Sequence, residues 1–280
     1  MRVAVISDIH SNYKALEAFL SYMEEHPADA VICLGDYVTD GPYPERTLSL
    51  LHEMEENHPC FLIRGNREEY LLENRKQDQG WHICSASGAL YYTYQRLTQA
   101  DLDWMESMPS ERKLRLENCP ELTVCHGAPG MIRGNFTLER VLQRQVLERL
   151  ETGYLLGGHS HYQEICKMHG KVYLNPGSLG MAIDEQGRHA QFAMMEGDSR
   201  GWEMEPITMD YDVEGYLRDF RESGIEEYGL YLTRAMEKTL VTGHNYFYDL
   251  VCAVSGMSHG APQDVEEDVW RRAAQRMGLC

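Results

Sequence analysis

The sequence predicts an α/β protein with a sheet of mixed or parallel pairing, and three observations predict it. Short apolar runs of strand length recur through the first two thirds of the 280 residues. Each of the first three is followed by a segment of helical periodicity or by a turn that can open one. Several of these runs stop at side chains of metal-ligand type, and ligands of an open α/β sheet collect on the loops after its strands.

The first run, residues 3–6, has the branched composition of a strand covered on both faces and stops at Ser7-Asp8-Ile9-His10. Asp8 and His10 stand two apart, so extended backbone points them to the same side. Ser11 and Asn12 are candidate N-caps for a helix whose apolar face is Leu16, Phe19, Leu20 and Met23. Residues 30–34 form a second run, ending in Gly35-Asp36. Pro44 suits the first turn of the next helix, with Leu48, Leu51 and Met54 as its face. A third run, 60–63, ends in Arg64-Gly65-Asn66.

Residues 81–107 read as one tyrosine-rich helical stretch stopped by Pro109, with Tyr91, Tyr92 and Tyr94 expected to pack in the core. A strand over 122–125 ends in His126-Gly127. A helix over 138–150 precedes a strand over 153–156, which ends in Gly157-Gly158-His159-Ser160-His161. Strands over 172–174 and 191–195 follow. From Tyr211 the pattern is helical to the end, interrupted by the linker-like stretch 256–263. The division expected is a main domain over 1–208 and a helical extension over 209–280.

Eight cysteines are scattered with no CxxC pair, which suits free thiols in a reducing compartment better than disulfides or a zinc cluster. No signal peptide or membrane span is apparent, so the expectation is a cytoplasmic protein without membrane attachment. A net charge of −18 argues against a nucleic-acid polymer as partner, because phosphate backbones demand clustered cations. A small anionic substrate would need bound metal to offset that field.

Five runs in order end at Asp8 and His10, Asp36, Asn66, His126, and His159 with His161; glycine stands beside four of these groups, at Gly35, Gly65, Gly127 and Gly158. Loops on one edge of a sheet converge, so these side chains can share a pocket although distant in sequence. Carboxylate, carboxamide and imidazole together suit manganese, iron or zinc.

The ordered set Asp8-x-His10, Gly35-Asp36, Gly65-Asn66-x-Glu68, His126-Gly127 and Gly158-His159-Ser160-His161 resembles the calcineurin-like metallophosphoesterase superfamily. Asp36-Tyr37-Val38 with Gly41-Pro42, His126-Gly127-Ala128-Pro129 and Asn175-Pro176-Gly177-Ser178 are similar to its small bacterial phosphodiesterase branch, over about residues 1–196. The resemblance implies a two-layer mixed β-sandwich flanked by helices, with the metals at one edge. It implies two divalent transition-metal ions, manganese first and iron, zinc or nickel as other candidates. Asp8, His10, Asp36 and His161 would hold one, and Asp36, Asn66, His126 and His159 the other, with Asp36 bridging. The implied activity is hydrolysis of a small phosphodiester, nucleotide or phosphoanhydride by in-line attack of a hydroxide shared between the ions.

Asn66, Arg67 and His126 are the expected catalytic residues. Many relatives carry histidine directly after the asparagine, where this chain has Arg67. Arginine stays protonated and is a poor proton donor, but it binds phosphate oxygens well. The expected preference is therefore for diesters, anhydrides or activated monoesters, unless Arg67 simply pairs with Glu68 or Glu69 at the surface. Arg133 is a second candidate substrate-binding residue, Asp40 reads as a turn former, and Glu68 as a supporting or helix N-terminal acid. His26, His52, His58, His82, His169, His189, His244 and His259 show no ligand spacing. The alternatives are a protein or dinucleoside polyphosphate phosphatase, or a non-catalytic metal-binding interaction module; the latter predicts eroded ligands, whereas all seven are present. The apolar and aromatic residues of the C-terminal helices, including Tyr246, Phe247, Tyr248 and Trp270, could pack on the sandwich, which is the default, cap the pocket, or form the dimer face of a homo-oligomer.

Overall fold

Two five-stranded sheets pack face to face in a computed structural model that describes residues 1–75, 81–258 and 260–280. In the first sheet, β1 (Arg2–Ile6) lies parallel to β2 (Ala30–Cys33), which lies parallel to β3 (Cys60–Leu62). The chain returns late to complete it. A long antiparallel pair, β9 (Ala190–Asp198) and β10 (Gly201–Met209), joins at the free side of β1. In the second sheet β5 (Leu122–Cys125), β6 (Tyr154–Leu156) and β8 (Lys171–Pro176) run parallel, with β4 (Glu111–Leu114) and β7 (Gln163–Met168) as antiparallel edges.

The unbroken apolar runs are explained by burial on two sides. Val3, Val5, Ile32 and Ile63 point between the sheets and meet Leu122, Val124, Leu156 and Leu174. Their neighbours Ala4, Ile6, Val31 and Cys33 point outward onto Leu16 and Phe19 of α1 (Tyr13–Glu25) and Leu51 and Met54 of α2 (Pro44–Asn57). On the far face of the second sheet, Leu147 of α6 (Arg140–Arg149) packs with Cys125, Leu155 and Tyr173. This is the expected mixed sandwich flanked by helices.

Several elements depart from the sequence expectation. The stretch 81–107 is two helices, α4 (Gly88–Tyr94) and α5 (Gln99–Ser107), because Thr98 starts a new one: its hydroxyl accepts from the Asp101 backbone N–H while Asp101 accepts from the Thr98 N–H. Tyr92 is buried in the core as expected, and Tyr91 and Tyr94 are only partly so. A further helix, α3 (Asn66–Arg75), starts at a proposed ligand, and the edge strands β4 and β7 are additional to those expected.

Among the described residues four helices follow β10: α7 (Val213–Glu222), α8 (Ile225–Thr242), α9 (Tyr246–Met257) and α10 (Glu267–Arg276), with a short 3-10 turn at Pro262–Asp264 before the last. That turn overlaps the end of the linker-like stretch 256–263, and His259 in the same stretch lies outside the described residues. The four helices share a core around the fully buried Trp270, and the core also takes in Tyr13, Tyr92 and Met181 of the preceding chain. All eight cysteines are free, and no helix among the described residues is long and apolar enough to cross a membrane.

Candidate metal centre

The loops after β1, β2, β3, β5 and β6 leave the same edge of the sandwich, because these strands run parallel within each sheet. They bring all seven predicted side chains together. Turning so sharply puts Asp8, His10, Asp36, His159 and His161 at φ between 48° and 65°. Asp and His are among the few side chains that tolerate this left-handed region. At Gly35 the constraint is absolute: φ is +96°, and a Cβ there would lie 2.3 Å from the Gly65 nitrogen.

The potential ligand atoms form two groups, Asp8 with His10 and His161, and Asp36 with His126 and His159, each group mutually within 4.8 Å. In the first, His10 Nε2 lies 3.1 Å from His161 Nε2, and Asp8 Oδ1 lies 3.3 Å from the latter. In the second, His126 Nε2 is 3.4 Å from Asp36 Oδ2 and 3.0 Å from Asn66 Oδ1. Asp36 Oδ2 is also 3.8 Å from His10 Nε2, so its carboxylate stands between the groups.

Neighbouring groups orient these side chains. The Nδ1 atoms of His126 and His161 contact the Leu34 and Met181 carbonyls at 2.7 and 2.8 Å, which directs both Nε2 atoms inward. Asp8 Oδ2 accepts from Ser7 Oγ at 2.5 Å and the His159 backbone N–H at 2.9 Å. Glu68 is fully buried and accepts the backbone N–H groups of Gly65, Asp36 and Tyr37 at 2.7–2.9 Å. It thereby locks the loop after β2 to the one after β3, the supporting role its position suggested.

The cluster is a buried knot of opposite charges. Burial works against the charged imidazole of His10, yet Asp40, Asp8 and Asp36 push its pKa up to about 10. Burial opposes His126 likewise, and Asp36 and Asp8 push it up to about 9. Burial acts to raise the carboxyls of Asp8 and Asp36, but the surrounding histidines hold both below the usual range. His159 is pushed down to about 4 by burial and by His126. Asp8 Oδ1 is buried without a hydrogen-bond partner among the described residues. An orphaned carboxylate oxygen facing imidazole nitrogens is a place for a cation, and the mixed N and O donor set fits divalent transition metals.

Arg67 does not pair with Glu68 or Glu69, which corrects the surface alternative. Glu68 is committed to backbone, and Glu69 faces Arg64 at 3.6 Å. Instead Arg67 Nη2 lies 2.7 Å from Asp40 Oδ2. Asp40 is buried, and the same oxygen lies 3.2 Å from His10 Nδ1, so it is more than a turn former. Arg133 is placed away from the ligands, 3.3 Å from Glu73 in a neighbouring depression and against the Tyr70 ring. The sequence left the C-terminal helices open between packing on the sandwich, capping the pocket and forming a dimer face, and they do border the cavity. The Tyr216 hydroxyl donates to the His10 carbonyl at 3.3 Å, and Phe247 lies over the Arg67 guanidinium with 5.6 Å to the ring centroid. Ligands, Arg67 and the start of α9 border one cavity of about 370 Å³.

A mixed sandwich with clustered Asp and His at one edge defines a class of metal-dependent phosphoesterases. Residues 1–200 match the model of the calcineurin-like phosphoesterase superfamily domain, and the chain belongs to that superfamily. An uncharacterized protein of Methanocaldococcus jannaschii is 25% identical over 228 residues, 76% of this chain and 88% of the relative. Among solved structures, a hypothetical protein from Pyrococcus horikoshii aligns at a TM-score of 0.71 and 19% identity, covering 86% of this chain and 98% of its own. A metallophosphoesterase from Sphaerobacter thermophilus aligns at 0.69 and 23% identity, covering 87% and 99%. These likenesses bear on the fold, while the His/Asp cluster is a candidate dinuclear site in its own right.

Proposed function

We propose that this chain is a phosphoester hydrolase that uses two divalent metal ions and acts on a small phosphodiester, nucleotide or phosphoanhydride. The observation that carries the reading is the pair of His/Asp groups with Asp36 between them, opening on a cavity with Arg67 in its wall. Asp8, His10, Asp36 and His161 would hold one ion, and Asp36, Asn66, His126 and His159 the other. Manganese is the leading candidate, ahead of iron, zinc or nickel. Two such ions supply Lewis acidity toward phosphoryl oxygens and lower the pKa of a bound water toward neutrality.

The chain's own groups set the preference among esters. Asp40 holds the Arg67 guanidinium and favours its charge, which burial alone opposes. Arg67 can therefore bind a phosphoryl oxygen but cannot hand a proton to a departing alkoxide. General-acid help is worth about 10²- to 10⁴-fold, so its absence weighs most on poor leaving groups. Substrates with good leaving groups follow, and a cavity of about 370 Å³ supports a small one.

The test is to strip metal by chelation, restore manganese, and assay a chromogenic aryl diester, an aryl monoester and a phosphoserine peptide. Manganese should restore diester hydrolysis, and Arg67→His should raise peptide turnover relative to the diester. A manganese-loaded protein that cleaves none of the three would refute the hydrolase reading. An unchanged preference in the variant would refute the role of Arg67.

A further inference from the structure

The cavity has two unlike halves. Its floor is the charged His/Asp cluster. The facing wall is built by the loop between β8 and β9 and the C-terminal helices: Met181, Ile183, Met236, Phe247 and Tyr248, with Leu138 also lining it. The two halves touch. The carbonyl of Met181 holds His161 at 2.8 Å, and the Phe247 ring is one guanidinium away from Asp40 and His10. An organic group attached to a phosphoryl group on the floor has this wall beside it.

Two features of the wall point to the chemistry of its occupant. Tyr248 and Leu138 are 58% and 55% exposed, large apolar surface left open at the mouth of a polar site. On that rim Glu185 and Asp249 flank His244 at 2.9 and 2.8 Å and push its pKa up, so two carboxylates share a single imidazole and the rim is acidic on balance. A second phosphate or a polyphosphate chain would meet that acidic rim, whereas an uncharged ring would not.

Resting on the hydrolase reading above, we propose that the wall is a binding site for a flat, uncharged aromatic group joined to the phosphoryl group, with Phe247 as the stacking residue. The substrate class is then an aryl or nucleoside phosphoester rather than a polyol phosphate or a polyphosphate. Stacking on an aromatic side chain contributes about 1–3 kcal/mol per ring, or roughly 5- to 150-fold in affinity.

The proposal is tested by binding, independently of turnover. Phenylphosphonate and methylphosphonate are titrated into the manganese-loaded protein by calorimetry; they share a charged head and differ in the ring. Phenylphosphonate should bind at least 10-fold tighter to the wild type. Phe247→Ala should cut that ratio to about 2-fold or less, and Phe247→Tyr should keep it. Tyr248→Ala, at an exposed position, should lower the ratio partially without touching the core. A non-hydrolysable nucleoside phosphonate separates the two ring sources: tighter binding than phenylphosphonate assigns the wall to a nucleobase, weaker binding to a single aryl ring. Equal affinity for the first two ligands, or a ratio unchanged in both alanine variants, overturns the proposal. A ring preference without hydrolysis of any ester would instead refute the hydrolase reading and leave the ring site standing. Failure of both phosphonates to bind refutes both readings.

Discussion

Asp40 links two groups with different tasks, since one of its oxygens faces both His10 Nδ1 and the Arg67 guanidinium. A carboxylate behind a ligating imidazole raises its basicity and fixes its orientation, and losing such a partner costs about 10- to 100-fold in metal affinity. Asp40→Asn should therefore weaken manganese binding by about that factor, read by metal titration, with circular dichroism unchanged. Wild-type affinity in the variant would make Asp40 a partner of Arg67 alone. The pKa values give a second expectation. In the metal-free protein, His10 and His126 hold protons up to about pH 10 and about pH 9, and ligation requires both to lose them. Metal affinity should thus climb as pH rises from 6 toward 9, with protons released on binding. Calorimetry in buffers of different ionisation heat measures that release, and a pH-independent affinity would contradict it. All seven proposed ligands could be picked out from the sequence because each closes an apolar run. Asp40 could not, since Thr39-Asp40-Gly41 looks like any turn and only the fold brings Arg67 to it.

Helix α3 shows how an element can be invisible in sequence yet central to the site. Its residues NREEYLLENR are mostly polar, so no clear apolar stripe announces it. Its first turn nevertheless carries Asn66, Arg67 and Glu68. Edge strands β4 and β7 were hidden for a related reason: an edge carries charge and is only partly covered, so ERKL and QEICKM lack the continuous apolar signature of β1, β2 and β5. Glu68 is the bolt between α3 and the β2 loop. Glu68→Ala would leave three buried N–H groups without their acceptor, at about 1–3 kcal/mol each before relaxation. The expected loss is about 3 kcal/mol or more in urea unfolding, accompanied by weaker metal binding. A loss under about 1 kcal/mol would mean that the loop holds its shape unaided.

At the scale of the molecule, the net charge of −18 and the site oppose each other. An anionic substrate is repelled from afar and attracted only close to Arg67 and bound metal. The Debye length falls from about 30 Å at 10 mM salt to about 8 Å at 150 mM, which screens the distant acids before the local cations. For an anionic diester, kcat/KM should rise over that range, and a steady fall would show that local cations govern approach. The C-terminal helices were legible as helices, but their place in the site was only one of three open options. Helical periodicity shows that a face will be buried, without showing against what: Phe247 reaches the cavity beside Arg67, and Tyr216 reaches the His10 backbone across 206 residues of chain.

The left-handed backbone at Asp8, His10, Asp36, His159 and His161 has a consequence that outlasts the chemistry. These positions are filtered twice, once by what a metal accepts and once by what the peptide geometry accepts, and the second filter does not switch off if metal is lost. A descendant of this chain freed from hydrolysis would not drift at random there. Asparagine and glycine fit the same geometry, whereas valine and isoleucine would strain it. Decay of the site should therefore leave a recognisable scar, with ligands replaced by small or turn-tolerant residues while the loops keep their course.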